Sequence, residues 1–121
     1  LIDYGSARSG TGDTLQALRA HRPVSPLENL GDAYLTSHVD FEPLVAVARG
    51  AGARVSGPAG QGAFLEALGI AARAAALQRA APDRAEEIAS QHARLTAADQ
   101  MGRLFLVLGI ASPAAPPLAG F

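Results

Sequence analysis

The chain has 121 residues, ten basic and eleven acidic side chains, a formal net charge of −1 and no cysteine. Nucleic-acid binding needs a clustered basic surface, so this balance argues against a nucleic-acid partner. The missing cysteine excludes disulfides, thiol nucleophiles and zinc–thiolate sites within the segment, and the missing lysine excludes Schiff-base chemistry. No apolar run approaches the ~18–20 residues that span a bilayer, so we expect a soluble chain that does not bind membranes.

The chain opens on a predicted strand, Leu1–Tyr4, that runs into Gly5 without an initiator methionine. An apolar strand that ends in Asp-Tyr-Gly is typical of the carboxyl edge of an α/β sheet, outside which ligands bind. We therefore expect the chain to enter a larger fold midway, and Asp3 and Tyr4 to face a cleft. The alternative for Asp3 is a carboxylate that hydrogen-bonds its own loop.

A glycine-serine segment, Gly5–Gly12, follows this strand and is called the glycine loop below. Its Gly-Thr-Gly lacks the third glycine of the dinucleotide-binding fingerprint, so a surface loop is favoured over a phosphate site. Asp13 or Thr14 is predicted to cap a short helix over Leu15–His21. Arg22–Leu35 is predicted to be irregular because prolines and a glycine interrupt it.

Polar side chains occupy alternate positions between Gly31 and Phe41. In extended chain they would share one face and form the wall of a cleft. They are Asp32, Tyr34, Thr36, His38 and Asp40. An N-cap role for the helix that follows explains Asp40 fully. For Thr36 and His38, a place in the cleft and a plain turn or surface role remain open.

The spacing of apolar residues from Phe41 to Ala48 predicts a helix that ends at Gly50 and Gly52. Ala53–Ser56 is predicted to be a short strand that stops at the Gly-Pro-Ala-Gly segment after it. Gln61 then either caps a helix or turns its amide toward the cleft.

Helices and one more strand are predicted for the rest of the chain. The helices are Gln61–Leu68, Ile70–Ala80, one that restarts at Pro82, and a turn over Ala97–Met101 capped by Thr96, before a strand at Leu104–Ile110. The alternation of predicted strands and helices indicates an α/β sheet. A sheet of only three strands leaves unpaired strand edges, which need to be covered by other strands. His21, His38 and Asp40 lack a metal-binding spacing, and no nucleophile elbow is present, so we expect no metal and assign no catalytic residue.

Four stretches of the sequence, taken in their order and spacing, resemble a known protein family. They are DYG at Asp3–Gly5, GDTLQALRAHR at Gly12–Arg22, LTSHVDF at Leu35–Phe41 and GPAGQGAFLEALGI at Gly57–Ile70. Together they resemble the C-terminal part of the MidA-like family of S-adenosylmethionine-dependent methyltransferases, whose mitochondrial members methylate an arginine on a respiratory complex I subunit. Two positions depart from the family pattern: Tyr34 stands where an aspartate is usual, and Ala59-Gly60 where hydroxyl residues are frequent.

The resemblance implies a Rossmann-like class I methyltransferase sheet, of which this chain holds the last three strands. Leu1–Tyr4 would be the fifth strand, Arg54–Ser56 the sixth and Leu104–Ile110 the antiparallel seventh. Residues 1–121 would form the C-terminal segment of one methyltransferase domain, with a helical insertion over about 61–101. The glycine-rich loop that grips the cofactor would lie upstream, so no cofactor-binding residue is expected in this segment.

The implied function is methyl transfer from S-adenosyl-L-methionine to a protein arginine. The arginine-, alanine- and glycine-rich composition indicates a bacterial protein, and the absence of cysteine fits a cytoplasmic location. The alternative is a non-catalytic assembly or adaptor protein that keeps the methyltransferase fold. The candidates for the substrate side of the cleft are Asp3, Tyr4, Thr36, His38 and Gln61. A protein substrate is the expected partner, and a homodimer is a further assembly to be considered.

Overall fold

A computed structural model describes residues 1–28 and 31–121 of the chain. The strands are β1 (Ile2–Ser6), β2 (Gln16–Arg19), β3 (Arg22–Val24), β4 (Tyr34–Thr36), β5 (Val39–Asp40), β6 (Arg54–Gly60) and β7 (Phe105–Ala111). The α-helices are α1 (Phe41–Gly50), α2 (Gln61–Ala67), α3 (Ile70–Ala80), α4 (Ala85–Thr96) and α5 (Met101–Leu104), with a 3-10 turn at Pro82–Arg84. They form a four-stranded sheet, β5-β1-β7-β6, and a three-stranded sheet, β3-β2-β4. The α/β class is therefore confirmed.

The four-stranded sheet is built around β7, which lies between β1 and β6 and is antiparallel to both. Its Val107 and Leu108 are only 3% and 1% exposed. Because neighbouring residues of a strand point to opposite faces, both faces of the sheet are covered at this point. This arrangement confirms the antiparallel final strand that the family resemblance implies. It also places the last strand of the chain in the middle of the sheet rather than at its edge.

The strand β6 is longer than predicted. It continues past Ser56 to Gly60, with an irregularity between Ser56 and Ala59 where the register shifts. The predicted stop at Gly57-Pro58 is wrong because Ala59 and Gly60 pair again with β7. Glycine and proline form a bulge here, which interrupts a ladder without ending it. Gly57, with a φ of 86°, supplies the left-handed residue at this point.

The helix α1 agrees with its prediction. The Oδ1 atom of Asp40 accepts a hydrogen bond from the backbone N–H of Glu42 at 3.2 Å, which caps the helix. Phe41 is fully buried and Ala48 is nearly so, as their spacing predicts. The helix packs against β6 and β1 and so closes one face of the four-stranded sheet.

The predicted helix Leu15–His21 is wrong, because residues 16–24 form the hairpin β2–β3. Ala20 and His21 have φ values of 49° and 62°, and this pair of left-handed residues matches the two-residue turn that joins twisted strands. Asp13 accepts a hydrogen bond from the N–H of Leu15 at 2.9 Å in a local turn, so it caps no helix.

The predicted irregular segment Arg22–Leu35 is also wrong in part. It contains β3 and most of β4, and β4 pairs with β2 on the side opposite β3. Residues 29–30 of that segment lie outside the described residues. Asp32 lies just before β4, and its carboxylate is 3.6 Å from the guanidinium of Arg19 on β2.

The helices α2, α3 and α4 agree with the predicted ones and pack on one another. Thr96 does not cap the next turn, because it ends α4 and its hydroxyl donates to the carbonyl of His92 at 2.9 Å. The Thr96 carbonyl lies where a Cβ at Gly62 or Gly102 would collide with it. Glycine therefore permits the close approach of α2, α4 and α5. In the part of the chain that is described, no helix has the length and apolar character to cross a membrane.

Candidate functional site

A cleft of about 270 Å³ lies at one edge of the four-stranded sheet. Strands β1 and β5 are parallel and pair through Gly5 with Val39 and Ser6 with Asp40, so their carboxyl ends meet at this edge. The glycine loop and Thr14 form one wall, and His38, Val39 and Asp40 form the other. Ligands of open α/β sheets bind outside the carboxyl ends of the strands, so this cleft is the candidate site.

Tyr4 and His38 come together beside this cleft. Their ring centroids are 5.5 Å apart at an interplanar angle of 84°, and Tyr4 makes a similar edge contact with Phe105 on β7 at 5.7 Å. Such edge-to-face contacts are worth about 0.5–1.5 kcal/mol beyond burial. The contact ties the exposed His38 ring, which lines the cleft, to the end of the central sheet.

Asp3 and Thr36 do not line the cleft. The Oδ1 atom of Asp3 accepts a hydrogen bond from the N–H of Tyr4 at 2.8 Å, which is the local role considered for a strand-terminal carboxylate. Thr36 is the last residue of β4 and pairs with Gln16 in the three-stranded sheet. Both side chains are half-buried. Their place on the substrate side therefore stays a prediction.

The predicted polar wall from Asp32 to Asp40 is not one continuous face. Strand β4 ends at Thr36, β5 begins at Val39, and the two strands belong to different sheets. Because the chain leaves the strand conformation between them, the alternation of side chains is interrupted. Only the second half of the stretch, at His38 and Asp40, reaches the cleft.

Gln61 is 6% exposed and lies at the start of α2. Its Nε2 atom donates to the carbonyl of Leu95 at 3.0 Å, near the end of α4. Carbonyls in the last turn of a helix lack intrahelical partners, so this bond satisfies an acceptor that α4 leaves free. The amide therefore joins two helices and is not among the groups that line the cleft.

Ser9 and Glu42 are absent from the sequence-based candidates, yet they connect the two walls of the cleft. The Oγ atom of Ser9 donates to Oδ2 of Asp40 at 2.6 Å, and its backbone N–H donates to Oε2 of Glu42 at 2.7 Å. These partners are 31 and 33 residues apart in sequence, so no local spacing reveals them. The one available signal is a serine within a loop of small residues.

Among the residues that the structure describes, no group of three histidine, aspartate or glutamate side chains lies close enough together to hold one metal ion. The cleft carries one imidazole, of His38, and one carboxylate, of Asp40. The other polar residues of its lining are Ser6, Arg8, Thr11 and Thr14.

A sequence model of the Methyltransf_28 family, described as "Putative S-adenosyl-L-methionine-dependent methyltransferase", matches residues 1–59. A relative from Xenopus tropicalis, the mitochondrial protein arginine methyltransferase NDUFAF7, is 34% identical over 128 residues, which cover 100% of this chain and 29% of the relative. The Drosophila melanogaster homolog is 36% identical over 112 residues, which cover 91% of this chain and 25% of the relative. The chain thus spans less than a third of the length of these relatives.

Two solved structures from Burkholderia thailandensis resemble the chain over 99% of its length. One is an uncharacterized COG1565 superfamily protein with a TM-score of 0.87 and 28% identity, of which the chain covers 34%. The other is a COG1565 superfamily member bound to S-adenosyl-homocysteine, with a TM-score of 0.84 and 28% identity, of which the chain covers 33%.

The names of the relatives correct one prediction. A bacterial cytoplasmic location was expected, but the curated relatives from Xenopus tropicalis, Drosophila melanogaster and Caenorhabditis elegans are all named as mitochondrial proteins. The predicted location is therefore wrong. It rested on an arginine-, alanine- and glycine-rich composition and on the absence of cysteine, and neither property reports a compartment directly.

The family assignment rests on agreement between sequence and fold. The strands that carry the Asp-Tyr-Gly and His-Val-Asp-Phe segments meet at the cleft, and the antiparallel β7 lies between β1 and β6. The sequence match, the curated relatives and the solved structures point to the same group. The chain belongs to the MidA-like family of S-adenosylmethionine-dependent methyltransferases.

Proposed function

We propose that this chain is the C-terminal segment of an S-adenosylmethionine-dependent methyltransferase and forms the acceptor side of its active site. The acceptor would be an arginine of a protein substrate. The observation that carries the proposal is the likeness, over 99% of the chain, to a protein solved with S-adenosyl-homocysteine. The protein arginine methyltransferase names of the curated relatives support the choice of acceptor.

The residues of this segment do not by themselves fit the cofactor. The cleft, at about 270 Å³, is smaller than the ~300–1,000 Å³ of typical small-molecule sites. The glycine loop has Gly10-Thr11-Gly12 followed by residues other than the third glycine of the dinucleotide fingerprint. We therefore place the cofactor cradle outside these 121 residues and assign no cofactor contact within them.

The cofactor, when bound, supplies an electrophilic methyl group, and the acceptor side has to align a nucleophile and keep water away. Alignment and water exclusion account for much of the acceleration of such transfers. Tyr4, which is not among the lining residues, packs against the His38 ring, and His38 and Asp40 lie on the same wall of the cleft. Tyr34, which replaces the usual family aspartate, is 79% exposed and is not part of the cleft.

The wider organisation is proposed on the same basis. Residues 61–101 would be a helical insertion before β7, since α2 to α5 all fall between β6 and β7. A homodimer and the exclusion of nucleic acid and membrane stay predictions. The adaptor alternative is not favoured, because it offers no reason for the likeness to a protein bound to S-adenosyl-homocysteine.

The test uses the full-length protein. Calorimetric titration should show S-adenosylmethionine binding, and radiolabelled methyl groups should appear in methylarginine after hydrolysis of a methylated protein acceptor. His38→Ala should lower methyl transfer about tenfold, since misplacing an acceptor is costly, while cofactor affinity stays unchanged. His21→Ala is the matched control, because His21 lies in the β2–β3 turn.

Three results would contradict parts of the proposal. Absence of cofactor binding would overturn the enzyme assignment and revive the adaptor. An equal loss of activity in the His38 and His21 variants would remove His38 from the acceptor side while leaving the enzyme assignment intact. Label found in a residue other than arginine would retain the methyltransferase and change its acceptor.

A further inference from the structure

Ser9 uses both of its hydrogen-bond donors on carboxylates at the start of α1. Its hydroxyl donates to Asp40 at 2.6 Å and its backbone N–H donates to Glu42 at 2.7 Å. Hydrogen bonds to ionised acceptors are shorter and about twice as strong as neutral ones. We call this pair of bonds the Ser9 clasp.

The clasp acts on the part of the glycine loop that lies beyond β1, residues 7–12. This part contains Gly10 and Gly12, and ordering glycine costs more conformational entropy than ordering most other residues. At its start, the hydroxyl of Ser6, the last residue of β1, donates to the carbonyl of Arg8 at 2.6 Å. The clasp is what ties the middle of the loop to the helix through side-chain atoms.

The carboxylate of Asp40 takes part in two structures at once. Its Oδ1 atom caps α1 by accepting from Glu42 N–H, and its Oδ2 atom accepts from the Ser9 hydroxyl. Asp40 also lies in β5, which pairs with β1 next to the cleft. The start of the helix, the end of the sheet and the glycine loop are thus joined at one side chain.

The clasp spans the two walls of the cleft. Gly10, Thr11 and Gly12 follow Ser9 directly and line one wall, whereas His38 and Asp40 line the other. Since Ser9 joins the first wall to Asp40 on the second, the length of its bonds limits how far the walls can separate. Arg8, the preceding residue, enters the same lining, and its backbone hydrogen-bonds the Ser6 hydroxyl.

We propose that Ser9 is a positioning residue, which holds the glycine loop and Arg8 in place so that the cleft is preformed for the acceptor. The inference rests on the proposed function and adds to it the residue that sets the width of the acceptor cleft. A preformed cleft loses less entropy when it binds a flexible protein segment. Ser9 itself touches no reacting atom in this proposal and acts through the loop.

The experiment compares Ser9→Ala and Ser9→Thr in the full-length protein. Ser9→Ala removes the bond to Asp40 and should raise KM for the protein acceptor about fivefold, with kcat and cofactor affinity nearly unchanged. Ser9→Thr keeps the hydroxyl and should restore most of the acceptor affinity. Ser112→Ala is the matched control, because Ser112 is an exposed serine beyond β7, remote in sequence from the clasp.

A second readout does not need turnover. Amide hydrogen exchange at residues 9–12 should be about tenfold faster in Ser9→Ala than in the parent or in Ser9→Thr, because the loop opens more often. If exchange and KM are both unchanged in Ser9→Ala, the clasp does not position the loop and the inference is wrong. A loss of kcat that Ser9→Thr does not restore would also overturn it.

Failure of the proposed function would look different. If the parent protein transfers no methyl group and binds no cofactor, the enzyme assignment fails whatever the loop does. The clasp is then decided by hydrogen exchange alone, where faster exchange confined to residues 9–12 supports it and unchanged exchange refutes it.

Discussion

The two sheets of this chain differ in what holds them together. The four-stranded sheet packs Phe41 of α1 and Leu108 of β7 into a core from which water is excluded. The three-stranded sheet buries Ala17, while Leu18, Tyr34 and Leu35 on its strands stay exposed. A hydrophobic core contributes far more than ladder hydrogen bonds, whose net worth is small, so the four-stranded sheet should carry the stability of the chain.

The largest expected effect comes from emptying the core of the four-stranded sheet. Leu108→Ala should lower the free energy of unfolding by about 2–5 kcal/mol, because a buried leucine leaves a cavity. Leu18→Ala in the three-stranded sheet is the matched variant and should cost less than about 1 kcal/mol, since its side chain is already partly solvated. Urea unfolding of the full-length protein measures both. Equal losses would break the comparison between the sheets.

A smaller effect of opposite sign is expected at the turn of the three-stranded sheet. His21 has a φ of 62°, a conformation that costs a non-glycine residue about 1–2 kcal/mol. His21→Gly should therefore stabilise the protein by about 0.5–1 kcal/mol in thermal unfolding, after the greater entropy of unfolded glycine is subtracted. Ala72→Gly, at an exposed position of α3, should instead cost about 1 kcal/mol. A loss of stability in both variants would contradict the turn geometry.

The smallest effect belongs to an ion pair that lies outside both sheets. The Arg84 guanidinium donates two hydrogen bonds of 2.9 Å to Glu87 at the start of α4. These bonds, and the attraction between the charges, hold the pKa of the Glu87 carboxyl below its ordinary value of 4.5. A lowered carboxyl pKa means that the stabilisation is complete above the ordinary value and is lost as the pH falls through the lowered one.

Glu87→Gln should therefore bring a slight loss of stability at neutral pH that disappears in acid and in high salt. Unfolding curves of parent and variant, recorded at neutral and acidic pH, give the measurement. Glu86→Gln changes a neighbouring carboxylate in the first turn and serves as the control. A difference between parent and Glu87→Gln that grows toward acid pH would reverse the predicted sign.

Elements with local signals could be predicted from the sequence. The helix α1 has a capping aspartate, a regular apolar spacing and a terminal glycine, and the apolar run of β7 is evident by itself. The hairpin β2–β3 has no glycine or asparagine at its turn, so its two left-handed residues, Ala20 and His21, give no warning. The continuation of β6 past Gly57-Pro58 depends on pairing with β7, which lies far along the chain.

In the candidate site, too, features with a local signal could be predicted from the sequence, and contacts between distant residues could not. The carboxyl end of β1 could be identified as the edge of a cleft, and His38 as a residue on it. The sequence left two roles for the amide of Gln61, a helix cap or a group that faces the cleft. In the structure this amide donates a hydrogen bond to the carbonyl of Leu95. The Ser9 bonds depend on a loop that folds back onto a helix more than thirty residues away, as the sequence separations of 31 and 33 show. Local patterns carry no information on such contacts.

The central position of β7 has a consequence for how the protein is made. The N–H of Leu108 donates to the carbonyl of Leu1, and Ile2 pairs with Val107. During synthesis, β1 therefore leaves the ribosome about a hundred residues before the strand with which it pairs. Until then β1 and β6 present unpaired backbone edges, which are sites for association with other chains. Pairing over such a separation is slow because a long loop has to close first. The edges of β1 and β6 that face β7 are therefore expected to stay open to association with other chains until β7 is inserted.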